Sequence, residues 1–310
     1  MSDAVLTLGA ADPIAHVVNH AWLRASDGTW LWSSAQTMLV ISGAIVILAG
    51  MFVASKVNTG PESEGNKRYL TKNLFASTVE VICVYLRSNT VKPLLHGRTD
   101  RFMPFLWTIF FFILVNNLLG LVPILDLHAL LTPAIVHGEH RAIIGGTATQ
   151  SIAVTGALAL IGAIAINAAG LKELGLMGYL KHLTGGAPVA LWPLLVPIEV
   201  AGTVIKPVAL AIRLFANMTA GHILIAVLAG FVGTGAGMMF RDQDPNLLLG
   251  GTVSLVSFVA QVPIMFLELF VAFLQAFVFM FLVAVFISLL SHHDDHDHAH
   301  DHGHTHGAHA

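Results

Sequence analysis

Residues 245–291 read PNLLLGGTVSLVSFVAQVPIMFLELFVAFLQAFVFMFLVAVFISLLS, an apolar run in which Glu268 is the only ionisable side chain. A membrane-spanning helix needs about 20 such residues to cross a hydrocarbon core ~30 Å thick. About 40 residues would extend ~60 Å as a helix, so this run predicts either one steeply tilted helix or two spans. Pro263 can kink the run, but no polar turn divides it, which favours one long tilted helix.

The stretch before it, from Leu183 to Phe240, is likewise too long for one perpendicular span and also lacks a polar turn. We expect a second long tilted helix there. Three shorter apolar runs predict further spans, at Met38–Ala54, Phe102–Leu125 and Ala142–Leu171. The sequence therefore predicts an all-α, polytopic membrane protein with about five spans.

The composition supports a membrane protein. Only 11% of the 310 residues are charged, where soluble chains carry about 25%. Hydrophobic residues make up 55%, and the mean hydropathy is +0.77. The net charge of −3 and the 15 Lys and Arg residues exclude a nucleic-acid-binding protein driven by overall charge. A single cysteine, Cys83, excludes an internal disulfide, a zinc finger and an iron–sulfur cluster held by this chain alone.

Basic residues predict the orientation. Eight of the 15 Lys and Arg residues lie between the first two spans, which places that segment in the cytoplasm by the positive-inside rule. Residues 1–37 then form an outward N-terminal segment, 38–291 the membrane domain, and 292–310 a cytoplasmic tail. Residues 69–92 mix apolar and charged side chains and are short, which favours an interfacial amphipathic helix over a span.

Four polar residues form a seam on the first long helix. Glu199, Lys206 and Arg213 are seven residues apart, so an α-helix places them on one stripe about 10 Å apart. Asn217 follows one turn beyond Arg213. A charge at membrane depth costs about 2.5 to 3.5 kcal/mol, and such residues usually mark an ion or substrate path.

The last helix carries a second seam, since Gln261, Glu268 and Gln275 repeat the seven-residue spacing. Structural interpretations remain open beside the functional one. The seams can join helices through hydrogen bonds and neutralised charges, and Lys206 can extend to the lipid headgroups. His222 lies about 180° around the helix from Arg213, and alone it is typical of a hydrogen-bonded core histidine.

These residues carry a resemblance to a known family. The run KPVALAIRLFANMTAGH at 206–222, Glu268 with LQAFVFM at 274–280, and NNLLGLVP at 116–123 resemble subunit a of the F-type ATP synthase membrane sector. The resemblance covers roughly residues 10 to 290 and begins with DPIAH at 12–16. It implies a bacterial inner-membrane stator subunit with no catalytic site of its own, which faces a rotating ring of c subunits and carries two offset proton half-channels.

The resemblance also implies roles for single residues. Arg213 matches the essential arginine that attracts the ionised ring carboxylate and separates the half-channels. His222 and Glu268 match the outward half-channel pair, in an exchanged order, and Glu199 matches the acid of the cytoplasmic half-channel. The remaining matches are polar neighbours and secondary positions, namely Asn217, Gln275, Lys206, Gln261 and Asn117.

One position departs from the family pattern. Gly120 stands where many bacterial members have an acid, so that relay group is absent or is replaced by Asn116, Asn117 or Asp126. The resemblance implies no cofactor and no metal. Its implied partners are the c ring, the peripheral-stalk b subunits, the other ATP synthase subunits indirectly, and the lipid bilayer.

The C-terminal tail, residues 292–310, alternates nine histidines with four aspartates. This composition is typical of a disordered segment, which can bind zinc or nickel opportunistically or buffer protons.

The alternative function is a proton- or metal-ion-coupled secondary transporter, which predicts inverted repeats and a binding site within one chain. No repeat is evident, and a passive scaffold would make Arg213 dispensable. An enzyme is disfavoured because the sequence has no phosphate-binding loop or His-Glu-x-x-His motif.

Overall fold

The fold, taken from a computed structural model, is dominated by helices. The structure describes residues 21–24, 27, 30–56, 71, 73–121, 148–183, 189–240 and 247–291. The α-helices are α1 (Ser34–Lys56), α2 (Leu74–Tyr85), α3 (Lys92–Leu95), α4 (Thr99–Leu121), α5 (Ile152–Leu183), α6 (Trp192–Phe240) and α7 (Leu247–Ser291). The chain forms two compact units. The first unit contains the described residues within Met1–Phe52, Phe111–Thr155 and Ile212–Ala276. The second unit contains the described residues within Val53–Phe110, Gly156–Ala211 and Phe277–Ala310.

The two long apolar stretches each form a single helix. Helix α6 has 49 residues and α7 has 45, and neither is divided by a turn. Pro197 and Pro207 lie inside α6 and Pro263 inside α7. Proline removes one backbone hydrogen bond, and helices whose outer residues lie in lipid tolerate this loss when neighbouring groups compensate. The prediction of two unbroken helices is confirmed.

The part of the chain that the structure describes contains five helical stretches long and apolar enough to cross a membrane. They are Ser34–Lys56, Leu74–Leu121, Ile152–Lys172, Trp192–Met238 and Leu248–Leu289. Their outer surfaces expose large apolar side chains such as Ile47, Leu160 and Phe266, as expected where lipid replaces water. The all-α, polytopic fold with five spans is confirmed, and the interfacial position of residues 69–92 stays a prediction.

Helix α2 starts at a side-chain cap. The Asn73 Oδ1 atom accepts hydrogen bonds from the backbone amides of Phe75 at 3.0 Å and Ala76 at 3.2 Å, which satisfies two of the free amides at a helix start. The helix continues as a π-helical turn at Leu86–Val91. A 3-10 turn at His96–Arg98 then leads into α4. The sequence predicted none of this irregular connection.

Two further differences from the sequence predictions are local. Helix α5 extends to Leu183 but is interrupted at Gly175, where φ is 67° and ψ is 173°. Among the amino acids, only glycine adopts this backbone conformation readily. The helix is therefore broken shortly after the predicted end of the span at Leu171, and further helical residues follow the break. Residues 142–147 of the predicted span lie outside the described part. Near the N-terminus, Ala21–Arg24 pairs antiparallel with Trp30–Ser33, a short hairpin that was not predicted.

Each unit has an apolar core. In the first unit, the buried residues include Met38, Ile113, Leu214 and Met218, and also the polar Asn117. In the second unit, the core includes Leu106, Phe110, Phe279, Val283 and Ile287. A Cβ atom on Gly162 would lie 3.6 to 3.8 Å from Val283 and Phe279, so this glycine allows α5 to approach α7 closely.

Candidate functional site

Arg213 is exposed on α6, and its guanidinium forms no hydrogen bond or ion pair with any residue that the structure describes. The next residue, Leu214, is fully buried, so Arg213 and Leu214 lie on opposite sides of the boundary between the exposed and the packed face of α6. A guanidinium group does not lose its proton in proteins. A permanent positive charge is thus presented on the surface of the first unit.

Two other members of the predicted α6 seam, Glu199 and Lys206, pair with each other. The Lys206 Nζ atom lies 3.9 Å from the Glu199 Oε1 atom, and both side chains are about half exposed. Lys206 also lies over the Phe286 ring, 5.2 Å from its centroid. An exposed pair at this distance contributes about 0 to 1 kcal/mol. Glu199 and Lys206 thus neutralise each other, as the structural interpretation of the seam predicts. Arg213 has no such partner within the described chain.

Glu268 on α7 is buried against α6. It is 5% exposed, and a Cβ atom added to Gly221 would overlap its carboxyl group. His222 follows Gly221 directly on α6, so it is the titratable side chain next to this contact. Only glycine leaves room for this approach, because any larger side chain would occupy the position of the carboxyl oxygens. The structure thus brings together the two residues that the resemblance matches to one half-channel pair.

The His222 ring points away from the exposed face of Arg213. Its Nδ1 atom lies 2.7 Å from the Met218 carbonyl oxygen, and its Nε2 atom lies 2.6 Å from the Gly120 carbonyl oxygen on α4. A protonated ring nitrogen donates to such a carbonyl. The placement of His222 on a different face from Arg213, predicted from helical periodicity, is confirmed. The histidine also has the backbone contacts expected of a core residue.

Two buried polar atoms near this pair have no hydrogen-bond partner among the described residues. These atoms are Oε2 of Glu268 and Nε2 of Gln275, and the two residues are only 5% and 4% exposed. Polar groups buried in this way cost free energy unless water or another group satisfies them. Asn217 and Gln261 are partly exposed. The second predicted seam is therefore buried at Glu268 and Gln275 and open at Gln261.

The adjacent asparagines at the end of α4 are both buried and hydrogen-bonded. Asn116 accepts from the Ser42 hydroxyl at 2.9 Å and donates to the Phe112 carbonyl at 2.8 Å. Asn117 donates from Nδ2 to the Ala272 carbonyl at 3.3 Å and accepts from the Thr149 hydroxyl at 3.2 Å. These amides connect α4 to α1, to α7 and to the turn that precedes α5.

Sequence reasoning missed three participants in this region. Gly221 is an isolated glycine inside a helical pattern, a signal of close packing that was available in the sequence. Gly120 contributes a backbone carbonyl, which no side-chain pattern can reveal. Thr149 lies in a 3-10 turn at Ala148–Gln150 and joins the site only through the tertiary fold. Asp126, one candidate replacement for the missing acid, lies outside the described residues.

The described residues contain no group of three or more His, Cys, Asp or Glu side chains that could hold a metal ion. The histidine-rich tail, residues 292–310, lies outside the described part of the chain, so the metal-binding hypothesis for it stays a prediction.

A family model described as "ATP synthase A chain" matches residues 36–288. The chain belongs to this family. The match includes Arg213, the Glu268–Gly221–His222 contact and the asparagines of α4. It confirms the resemblance that the motif at residues 206–222 predicts.

Bacterial relatives agree with this assignment. The chain is 37% identical over 268 residues to "ATP synthase subunit a" of Myxococcus xanthus (strain DK1622), covering 84% of this chain and 74% of that protein. It is 36% identical over 258 residues to the same subunit of Chloroherpeton thalassium (strain ATCC 35110 / GB-78), covering 83% and 66%. It is 37% identical over 265 residues to "ATP synthase subunit a 2" of Chlorobaculum tepidum (strain ATCC 49652 / DSM 12025 / NBRC 103806 / TLS), covering 86% and 62%. The matched region thus spans 62% to 74% of the lengths of these three relatives.

Proposed function

We propose that this chain is the proton-translocating stator subunit of a rotary ATP synthase, in which two half-channels load and unload carboxylates of a c ring. The observation that carries the proposal is the exposed guanidinium of Arg213, unpaired among the described residues of an apolar helix. A charge at membrane depth is costly. A partner's carboxylate that approaches this face would compensate that cost.

Arg213 separates the two proton paths because it cannot relay a proton. Its guanidinium attracts an ionised carboxylate of the ring and excludes protons by its fixed charge. Each ring carboxylate must therefore release its proton on one side of Arg213 and gain one on the other. Proton flow is in this way coupled to rotation of the ring.

Titratable groups provide the two paths. Glu268 and His222 form the outward half-channel together with Gln275, and Glu199 forms the cytoplasmic half-channel beside Lys206. Glu and His exchange protons readily, in contrast to arginine. The buried atoms of Glu268 and Gln275 that lack partners in the described chain support a water-accessible path, since water would satisfy both. Asn217 and Gln261 extend the polar surface next to Arg213 and Glu268.

The remaining properties follow from this role. The subunit has no catalytic site and needs no cofactor, because nucleotide chemistry takes place elsewhere in the complex. Its partners are the c ring and the peripheral-stalk b subunits. It lies in the bacterial inner membrane with its N-terminus outside and its C-terminus in the cytoplasm, as the distribution of basic residues predicts. The alternative, a secondary transporter, is not favoured because the relatives are named as ATP synthase subunits.

Proton conduction should require the ring. We expect vesicles that contain the complete membrane sector to take up protons under an imposed potassium diffusion potential. Vesicles that contain this chain without the ring should match empty vesicles, because protons reach Arg213 from either side but cannot pass it. The rate is read from a pH-sensitive dye inside the vesicles.

The same experiment distinguishes a stator subunit from a secondary transporter. A transporter carries its binding site within one chain. Conduction by the chain alone at the rate of the complete sector would therefore support the transporter and contradict the stator assignment.

A further inference from the structure

The last two turns of α4 connect both long helices of the first unit. Asn117 is fully buried and donates to the Ala272 carbonyl of α7 at 3.3 Å. Three residues later, the Gly120 carbonyl lies 2.6 Å from the His222 Nε2 atom of α6. Residues three apart share one face of a helix. One face of α4 is therefore bonded to α7 and to α6 through two different groups.

Both bonds lie beside the Glu268–His222 pair. Ala272 follows Glu268 by four residues, so the bonded carbonyl is one turn from the buried acid on the same side of α7. His222 is itself the bonded residue of α6, directly after Gly221. The helix rise is 1.5 Å per residue, so a shift of α7 by one residue is enough to move the Glu268 carboxyl off Gly221.

The chemistry of an amide excludes a relay role for Asn117. An asparagine side chain offers an acceptor oxygen and two donor hydrogens, but it does not take up or release protons as a carboxyl group does. Its contacts also involve both polar atoms, since Nδ2 donates to Ala272 and Oδ1 accepts from Thr149. Asn117 therefore cannot replace the acid that is missing at Gly120.

We propose that Asn117 is a positioning residue, which fixes α7 through the Ala272 carbonyl and so holds the Glu268 carboxyl beside His222. This inference rests on the proposed proton-translocating function. The Gly120 carbonyl is the second fixed point, since it holds His222 at the end of the same α4 segment. In this chain, backbone and amide groups thus orient the titratable pair where other family members have an additional acid.

Few charged groups lie around Glu268 and His222 in the described part of the first unit. Its residues in α1, α4, α6 and α7 and in the 148–155 segment include three charged or titratable side chains, namely Arg213 on α6, His222 on α6 and Glu268 on α7. Arg213 is always charged. Glu268 and His222 are therefore the two groups of this part that can bind or release a proton.

The test replaces Asn117 by leucine, which is similar in size but loses both hydrogen bonds. Proton conduction by the assembled membrane sector in vesicles is measured from pH 5 to 9 and normalised to the amount of assembled complex. We expect Asn117→Leu to lower the rate about tenfold and to change the shape of the pH profile, because the Glu268 carboxyl would no longer be held beside His222.

Two variants serve as controls. Ser254→Ala removes the hydrogen bond from the Ser254 hydroxyl on α7 to the Val232 carbonyl on α6, which is 2.8 Å long and lies within the same unit. Thr252→Val removes a bond within α7, to the Leu248 carbonyl at 2.7 Å. Both should keep the wild-type rate and pH profile per assembled complex. If Asn117→Leu does not assemble, Asn117→Ser is measured instead, since its short side chain cannot reach Ala272.

The outcomes separate this proposal from the proposed function. A wild-type profile for the Asn117 variant overturns the positioning role, while ring-dependent conduction by the wild type keeps the stator assignment. An equal change in Ser254→Ala also overturns it, because the loss of another hydrogen bond between α6 and α7 would then have the same effect. If the wild-type sector conducts no better than the chain without the ring, the proposed function itself fails.

Discussion

Replacement of Arg213 by alanine should reduce proton-driven ATP synthesis by about 100-fold, to the background of uncoupled vesicles. The guanidinium is exposed and forms no ion pair within the described chain, so its charge is available to a partner's carboxylate. An interaction of about 3 kcal/mol between the guanidinium and that carboxylate corresponds to about a 100-fold change in the rate of synthesis. Synthesis is measured in inverted membrane vesicles energised by respiration.

A matched control removes a different arginine. The Arg87 guanidinium donates to the Asp100 carboxylate at 2.7 Å, and the two side chains are 41% and 77% exposed. Such a pair contributes about 0 to 1 kcal/mol, so Arg87→Ala should retain most of the synthesis. Arg213→Lys tests charge alone, and we expect it to fail as well, because an ammonium lacks the planar fork that binds a carboxylate with two donors. Wild-type synthesis in Arg213→Ala would refute the assigned role.

Gly221→Ala should nearly abolish proton conduction although it adds a single methyl group. The new Cβ atom would overlap the Glu268 carboxyl, so either α7 moves or the acid leaves its place beside His222. Overpacking of this kind costs about 1 to 3 kcal/mol, while alanine otherwise favours a helix by about 1 kcal/mol over glycine. We expect conduction to fall about tenfold or more, with assembly largely retained. The measurement is dye-detected proton uptake per assembled complex.

Gly230 provides the control on the same helix. A Cβ atom there would meet no heavy atom within 4 Å, so Gly230→Ala should leave conduction unchanged. A second variant adds Glu268→Asp to Gly221→Ala. The shorter acid makes room for the methyl group, and we expect partial recovery. Equal effects of the two alanine variants would show that the close approach at Gly221 does not matter.

The long helices could be predicted because long runs of apolar residues are visible in the sequence itself. Apolar runs such as residues 245–291 have few alternatives to a helix in lipid, where every backbone group must be bonded internally. Helical periodicity also separated the face of Arg213 from that of His222. The Gly175 break, the π-helical turn at Leu86–Val91 and the hairpin that begins at Ala21 were missed, because local backbone geometry and tertiary contacts determine them.

The seven-residue spacing predicted shared faces but not the partners on them. Glu199 pairs with Lys206, whereas Arg213, at the same spacing, has no partner in the described chain. Likewise Glu268 is buried while Gln261 is partly exposed. A periodic pattern places residues around one helix, but which neighbour covers each position depends on packing between helices. The Asn117 and Gly221 contacts depend on this packing between helices, so the spacing of residues in the sequence does not reveal them.

Cysteine cross-linking tests whether the face of α6 that carries Arg213 meets the ring. Residues 213, 216, 217 and 220 share one face of the helix. Of these, Ala216, Asn217 and Ala220 are exposed or partly exposed, whereas Leu214 and Met218 are fully buried. The chain's single cysteine, Cys83, is first changed to serine.

Single cysteines are then placed on α6, and one cysteine is placed beside the ion-carrying carboxylate of the ring. We predict disulfide adducts with the ring from Ala216→Cys, Asn217→Cys and Ala220→Cys, and none from Leu214→Cys or Met218→Cys. Adducts of equal yield from the buried positions would contradict the account. So would a complex that still makes ATP while its ring cross-links to another helix and not to this face.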